Sequence, residues 1–354
     1  MGWNQNRVTE LLKIDYPIFQ APMAGGATTV ELVSQTSECG GLGNIGAGYM
    51  NPMDIANSIQ EIRKATNRTF GINLFVPEEP DAFTEEKVKS AIAALSPYKN
   101  ELEIAEDIIL PQKDHLLFYE EQLEAVMKAM VPVCSFTFGI PHHSVIEKLK
   151  QEGTVVIGTA TNVEEALLWE KSGADIVVAQ GSEAGGHRGT FLNDDTTGLV
   201  GGLALIPQVV DAVQIPVIAA GGIMDARGIA AAFMLGAEGV QLGTAFLTAE
   251  ESGIHLTYKD ALLNTNGETS ITKAFSGKMA RGITNRYMRE MADKEILPFP
   301  YQNDLTNAIR KRAASKENPD FMSLWAGQAV KLAEQKNVQQ LMNEWIEGTG
   351  RLLD

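Results

Sequence analysis

A histidine in a glycine-rich loop is the residue of this sequence best suited to chemistry. The stretch 174–190 begins with an apolar run, 176–179, and then enters a loop that holds four glycines and His187. An apolar run of this kind is typical of a strand buried on both faces. Imidazole exchanges protons near neutral pH, so His187 is a candidate acid or base. The pattern predicts a buried strand whose exit loop presents a reactive histidine.

Two later apolar runs end in glycines, which favours a phosphate site. Gly221 and Gly222 end one run, and Gly243 with Thr244 ends the next. Glycine lets the backbone approach a phosphate closely, and the amides of a helix N-terminus attract the anion. In α/β barrels the loops after strands seven and eight commonly form such a site. The alternative, that these glycines only make tight turns, stays open.

Residues at other strand ends are suited to a flat cofactor ring. Asn73 and Gln180 stand at or near two strand ends, and each amide offers both a donor and an acceptor, as the edge of a flavin or nucleobase requires. Pro22 and Met23 close the first strand with an apolar surface on which a ring can rest. The alternative role for the two amides is turn formation or capping. We therefore expect a phosphate-tethered cofactor across the strand ends.

Eight short β-like runs would position these residues. Runs that alternate with helical patterns indicate a parallel sheet, and eight such units closing into one TIM (β/α)8 barrel is the simplest arrangement. The predicted strands are 17–23, 41–48, 70–76, 131–138, 154–160, 176–179, 215–222 and 239–244. The predicted helices are 28–38, 52–65, 163–171, 203–213, 226–235, 258–263, 305–315 and 329–347.

Two parts of the chain add helix to the barrel. Residues 78–128 are rich in Glu, Lys and Ala and contain no convincing strand, so they are predicted to be a helical insertion. The tail holds more helix than a barrel requires. We therefore expect a cofactor-binding barrel over residues 1–250 and a mainly helical extension over 251–354 that packs on it.

Composition excludes some partners. The chain has 354 residues, 44% hydrophobic, with a formal net charge of -16. Such an acidic protein is a poor partner for nucleic acid or an anionic membrane, and its apolar runs are too short to span a bilayer. Cys39 and Cys134 are interpreted as two buried, reduced thiols, which predicts a cytoplasmic location. We predict no metal site.

Several motifs together resemble the nitronate monooxygenase family, formerly called 2-nitropropane dioxygenase. The family is an FMN-containing barrel with an added helical part, and the resemblance runs from residue 17 to about residue 302. The motifs are QAPMAG at 20–25, GINLFVP at 71–77, QGSEAGGHRG at 180–189, the run 215–225, QLGT at 241–244 and AFSGKMARG at 274–282.

The resemblance implies a reaction and a set of residues. The family oxidises alkyl nitronates with O2 to an aldehyde or ketone plus nitrite, so propionate 3-nitronate and ethylnitronate are the expected substrates. His187 corresponds to the catalytic base near the reactive edge of FMN, and would remove a proton from a neutral nitroalkane. The expected FMN-binding residues are Met23, Asn73, Gln180, Gly185 and Gly222, with Gln241, Leu242, Gly243 and Thr244 on the phosphate side.

Other residues are left with open or structural roles. Glu183 either orients His187 or holds its loop. The histidines expected to be structural are His115, His142, His143 and His255, and the residues whose roles stay open are Arg188, Ser276, Lys278, Arg281 and Tyr301.

Three alternatives share this pattern. One is a flavin-dependent enoyl-acyl-carrier-protein reductase that uses NAD(P)H, another is an NADH-quinone reductase of the same fold, and the third is a non-catalytic FMN-storage protein. The segment 75–77 and the run 274–282 favour the monooxygenase, and a base such as His187 has no use in storage. Detoxification of nitro compounds and a homodimer are hypotheses that the family suggests.

Overall fold

Strands and helices alternate along the barrel part of the chain in the computed structural model, which describes residues 2–78, 83–192 and 199–353. The strands are β1 (Ile18–Gln20), β2 (Gly43–Gly46), β3 (Phe70–Phe75), β4 (Val133–Thr137), β5 (Val155–Ala160), β6 (Ile176–Gln180), β7 (Gly186–His187), β8 (Val217–Ala220), β9 (Gly239–Leu242), β10 (Thr269–Thr272) and β11 (Ala280–Ile283). The α-helices are α1 (Arg7–Leu12), α2 (Val30–Glu38), α3 (Pro52–Ala65), α4 (Glu85–Glu101), α5 (His115–Ala129), α6 (His143–Gln151), α7 (Val163–Lys171), α8 (Gly202–Ala212), α9 (Ala226–Met234), α10 (Thr244–Leu247), α11 (Leu256–Leu263), α12 (Arg286–Glu290), α13 (Tyr301–Ser315) and α14 (Val338–Leu353). Two short 3-10 helices are η1 (Pro319–Phe321) and η2 (Val330–Leu332).

Within the described residues, eight parallel strands form one sheet in the order β1-β9-β8-β6-β5-β4-β3-β2. Two hydrogen bonds link its ends: the Leu42 amide donates to the Ile18 carbonyl at 2.9 Å, and the Gln20 amide donates to the Leu42 carbonyl at 3.0 Å. The predicted TIM barrel is therefore confirmed. Its strands are buried along nearly their whole length, which is why they appear in the sequence as continuous apolar runs.

Local sequence explains the helices around the barrel, as α3 illustrates. Asn51 caps its first turn by accepting from the Asp54 amide, and Pro52 occupies the first helical position, where it loses no hydrogen bond. Ile55, Ile59 and Ile62 then recur at helical spacing and are buried. The predicted span 52–65 is confirmed.

The helical insertion and the tail pack on each other. Helices α4 and α5 occupy the described part of the predicted insertion 78–128, and residues 79–82 lie outside the described residues. Leu95 of α4 joins a buried apolar cluster with Leu305 and Ile309 of α13 and with Phe321. This contact brings tail residues of α13 to the same side of the molecule as the insertion.

The last helix returns to the barrel. Helix α14 packs against α9 and α2, with Trp345 at 5.1 Å from the Phe246 ring in an edge-on contact. The predicted helix 329–347 is wrong over residues 333–337, where the chain runs between η2 and α14 without helix. The reason is that this segment pairs with the end of the barrel: the Glu250 amide donates to the Lys336 carbonyl, and the Thr248 hydroxyl donates to the Glu334 carbonyl.

A small antiparallel sheet, β10-β11-β7, was not predicted. In it His187 pairs with Ala280, and Gly186 pairs with Arg281. The histidine loop is therefore held by backbone pairing to a strand of the tail. No helix in the described ranges is long and apolar enough to cross a membrane.

Candidate active site

One cavity of about 840 Å³ gathers most of the predicted site residues at the carboxyl ends of the barrel strands. This volume lies in the upper part of the range for cofactor and ligand sites, roughly 300–1,000 Å³. Leu242 does not line it, because its side chain is fully buried in the apolar core. The predicted residues that do line it are Met23, Asn73, Gln180, Gly185, His187, Gly222, Gln241, Gly243 and Thr244.

The side chain of Gln180 shapes the loop that carries His187. Its Nε2 donates to the His187 carbonyl at 3.0 Å, and its Oε1 accepts from the Gly189 amide at 2.8 Å. On the other side of the loop, the Arg188 amide donates to the Met279 carbonyl at 2.8 Å. The loop is therefore fixed between the end of β6 and the start of β11. The second N–H of Gln180, a residue of the cavity lining, donates to no described residue.

Charged residues around the loop also hold its backbone. Arg188 is fully buried and donates to the carbonyls of Gln180 and Gly181, at 2.8 and 2.6 Å. The Glu183 carboxylate accepts from the Gly202 amide at the start of α8, and Arg281 donates to the Ser182 carbonyl. None of these three charged side chains is part of the cavity lining. They position the loop.

A tail segment lies directly on the histidine loop. A Cβ added at Gly185 would lie 2.5 Å from the backbone of Ala326 and Gly327, so only glycine fits. The Gly327 amide donates to the Thr244 hydroxyl at 3.0 Å, and the Gln328 amide donates to the Glu183 carbonyl at 2.9 Å. The tail thus closes one wall of the cavity between the loop and the end of β9.

His187 points into a mainly aromatic environment. Its Nε2 lies 2.9 Å from the hydroxyl oxygen of Ser276. The sequence did not indicate the rings around the imidazole, which come from four distant segments. Their centroid distances to the imidazole are 5.6 Å for Phe138, 6.3 Å for Phe75, 5.9 Å for Phe299 and 5.6 Å for Trp325.

This environment favours the neutral imidazole. Burial, and then the charges of Lys278 and Arg310, lower the pKa of His187 to about 3. The sequence led us to expect a pKa near neutrality, and the difference arises because an aromatic, cationic surrounding disfavours a second positive charge. An anion that enters the cavity would stabilise the imidazolium and so raise the pKa of His187.

The cavity has features that fit a flat cofactor with a phosphate. Asn73 donates to Ser135 and Thr137, while its Oδ1 accepts no hydrogen bond from any described residue. Helix α10 begins at Thr244 without a side-chain cap, and the amides of Thr244 and Ala245 have no acceptor among the described residues, so they can face an anion. At the end of β8, Gly221 and Gly222 have φ of 110° and 72°, which other residues rarely adopt.

Most of the remaining candidates lie apart from the imidazole, and Lys278 is the exception. Tyr301 does not line the cavity and packs against Phe83 and His115. His142 and His255 cap helices α6 and α11 through their side chains, as the structural interpretation expects, although His255 also reaches the cavity wall. Lys278 pairs with Glu78 at 2.5 Å and lies over the Phe138 ring.

Comparisons with known proteins identify the family of this chain. The family model for "Nitronate monooxygenase" matches residues 5–348. A "Probable nitronate monooxygenase" of Staphylococcus aureus strain JH9 is 46% identical over 355 residues, covering 99% of each chain. The solved structure of a nitroalkane oxidase from Streptomyces ansochromogenes is 37% identical and superimposes with a TM-score of 0.91 over 98% of each chain. FabK from Thermotoga maritima is 32% identical with a TM-score of 0.78, over 99% of this chain and 97% of that one.

Proposed function

This chain belongs to the nitronate monooxygenase family, and we propose that it is an FMN-dependent enzyme that oxidises alkyl nitronates with O2 to an aldehyde or ketone plus nitrite. The observation that carries this proposal is that His187 lines one cavity with eight of the nine residues expected to bind FMN. Propionate 3-nitronate and ethylnitronate are the proposed substrates.

FMN would lie across the carboxyl ends of the strands. Asn73 and the free N–H of Gln180 would hydrogen-bond the edge of its ring, and Met23 would contact the face. Its phosphate would lie near Gly222, Gly243 and Thr244, where the backbone is open to an anion. When bound, the flavin supplies a site that accepts electrons from the nitronate.

The imidazole of His187 would act as a base for neutral nitroalkanes. When the Ser276 hydroxyl donates to the Lys278 carbonyl, 3.1 Å away, it accepts from His187 Nε2–H, which leaves Nδ1 as the basic atom of the ring. A proton removed from the carbon next to the nitro group would produce an imidazolium beside an anionic nitronate. Each charge stabilises the other, which compensates for the low pKa of the free imidazole.

A nitronate that is already ionised needs no base. For an ionised nitronate, the residues around the cavity bind and orient the substrate. The aromatic rings around His187 exclude water from it. Turnover of nitronates and of nitroalkanes should therefore depend differently on His187.

The two reductase alternatives would use the same barrel and cavity. The 46% identity to a probable nitronate monooxygenase along nearly the whole chain favours the monooxygenase. Mixing the flavin-loaded protein with NADH without oxygen separates them: loss of the flavin absorbance would favour a reductase, and an unchanged spectrum would favour the proposed oxidation of nitronates.

The direct test is to purify the protein, record its visible spectrum, and measure oxygen uptake and nitrite release. We expect a flavin spectrum whose released cofactor is FMN, and nitrite formation from both nitronates. A protein that cannot be loaded with FMN, or one that consumes no oxygen with either nitronate, would contradict the proposal. A cytoplasmic location, a homodimer and a role in detoxification remain predictions.

A further inference from the structure

The cavity has a second polar region, contributed mainly by the tail helix α13, that the proposed chemistry does not use. Asn303, Asn307 and Arg310 extend along one face of α13 into the cavity lining, and Lys311 and Lys113 flank them. The charged lining residues on this side are three cations and one acid, Asp304, although the whole chain has a net charge of -16. The lining is therefore locally positive on an acidic protein, a pattern that attracts small anions.

Arg310 is the inner cation of this region, and two of its five N–H donors are unused. Its Nε donates to the Thr306 hydroxyl at 3.2 Å, and its Nη2 donates to the carbonyl and side-chain oxygens of Asn303, at 2.7 and 2.9 Å. The Nη1 group, with its two N–H donors, has no partner among the described residues. These contacts fix the guanidinium so that its free edge is pre-oriented.

No carboxylate lies at ion-pair distance from Arg310 within the described ranges, and Asp304 acts on its charge only from farther away. The nearest acid on the helix, Asp304, has its carboxylate 3.3 Å from His115 Nε2. Arg310 is half-buried, and this burial lowers the pKa of its guanidinium. A half-buried guanidinium without a paired carboxylate is unfavourable, and an anionic ligand would relieve this cost.

The position of Arg310 connects it to the proposed reaction. Its charge acts on His187, as the lowered pKa of the imidazole reflects. It also acts on the hydroxyl of Tyr49, a buried O–H that has no partner in the described structure. The Tyr49 ring lies 5.5 Å from Phe75, which in turn contacts His187. Arg310 and Tyr49 thus offer unused donors near the reacting end of the cavity.

We propose that Arg310, assisted by the Tyr49 hydroxyl, forms an anion subsite that binds a planar oxyanion of the substrate and so selects ionised nitronates over neutral nitroalkanes. A nitronate and a carboxylate share the same shape, a planar group with two anionic oxygens, and the free Nη1 group can donate a charge-assisted hydrogen bond to either. The occupant is either the nitronate group itself or a carboxylate elsewhere on the substrate. This inference rests on the proposed function, whose substrate class it narrows.

The test compares Arg310→Gln and Arg310→Lys with the unmodified FMN-loaded enzyme. Arg312→Gln is the matched control, because it removes the same charge two residues along α13 from a side chain that bonds the Leu102 carbonyl outside the cavity. The values to measure are kcat/KM for ethylnitronate, propionate 3-nitronate and neutral nitroethane. Equilibrium binding of propionate to each holoenzyme by calorimetry gives a readout that needs no turnover.

We expect Arg310→Gln to lower kcat/KM for the nitronates about 10- to 100-fold and for nitroethane less than about threefold, with Arg310→Lys between and Arg312→Gln unchanged. Equal losses with both nitronates identify the nitronate group as the occupant. A loss confined to propionate 3-nitronate, with loss of propionate binding, identifies the carboxylate. Equal losses with all three substrates, or none, would overturn the subsite.

Failure of the subsite and failure of the proposed function give different results. If the unmodified enzyme oxidises no nitronate, the proposed function is wrong, and Arg310-dependent binding of propionate still tests the subsite. If Arg310→Gln does not fold, Arg310→Lys serves instead, because it keeps the charge and changes only the geometry of the donors. A lower ratio of kcat/KM for nitronates to kcat/KM for nitroethane in this variant would support the subsite, and an unchanged ratio would overturn it.

Discussion

The Nε2 atom of His187 lies 2.9 Å from the hydroxyl oxygen of Ser276, although 89 positions separate the two residues in the chain. The pairing of Gly186 and His187 with β11 brings them together, because Ser276 lies just before that strand. Ser276 also interacts with the backbone of Lys278, at 3.1 Å to its carbonyl. When the hydroxyl donates to that carbonyl, it accepts from His187 Nε2–H, and it then orients the imidazole.

Replacing Ser276 by Ala should impair proton removal more than nitronate oxidation. The imidazole loses one hydrogen bond and its fixed tautomer, which predicts a fall of about five- to tenfold in kcat/KM for nitroethane. The value for ethylnitronate should change less than twofold. Ser270→Ala is the control, since its hydroxyl bonds Thr284 in the same small sheet and does not line the cavity. Equal losses with both substrates would refute an orienting role.

The pH dependence should show that the free enzyme carries a neutral His187. Burial is the largest cause of the lowered pKa of His187, and the imidazole stays enclosed when FMN is bound, so kcat/KM for nitroethane should be flat from pH 8 down to about 5.5. A histidine with an ordinary pKa would lose about tenfold at pH 5.5. Lys278→Gln removes one of the two charges that lower the pKa of His187. Any fall of kcat/KM at acidic pH should therefore begin at a higher pH in this variant. A fall of kcat/KM with an apparent pKa of about 6.5 in the unmodified enzyme would contradict a neutral, enclosed His187.

Adding a methyl group at Gly185 should separate the histidine loop from the tail. The new Cβ would lie 2.5 Å from the backbone of Ala326 and Gly327, which cannot rotate away. We expect Gly185→Ala to destabilise the protein by about 1–3 kcal/mol and to weaken FMN retention. Thermal unfolding and the flavin-to-protein absorbance ratio measure both effects. Gly202→Ala is the control, because its added Cβ would lie 3.6 Å or more from its neighbours. An equal loss of stability and of FMN in this control would show that the Gly185 contact is not the cause.

Much of the barrel could be predicted because its signals are local. Strand β5 and helix α7 lie where the sequence predicts them, since apolar runs, caps and helical spacing are encoded within a few residues. The pairing of β7 with β11 could not be predicted, because a two-residue strand in a glycine loop has no periodicity and its partner lies about 90 residues away. Residues 333–337 are not helical because contacts with residues 248–250 override their helical pattern.

The site was predictable where strand ends converge and not where distant segments fold over it. Gln241 lines the cavity and Leu242 does not, because successive side chains of a strand point to opposite faces. Phe299 and Trp325 reach His187 from the tail, and no spacing in the sequence connects them. The low pKa of His187 results from this enclosure, so the sequence alone could not predict it.

The central claim, that His187 is the base of a nitro-oxidising site, is tested most directly by His187→Ala. Nitrite release should be measured for the FMN-loaded variant and the unmodified enzyme, with neutral nitroethane and with ethylnitronate. The account predicts a loss of about 100-fold or more in kcat/KM for nitroethane, with FMN retained and ethylnitronate oxidation largely preserved. Unchanged turnover of nitroethane by His187→Ala would contradict the claim.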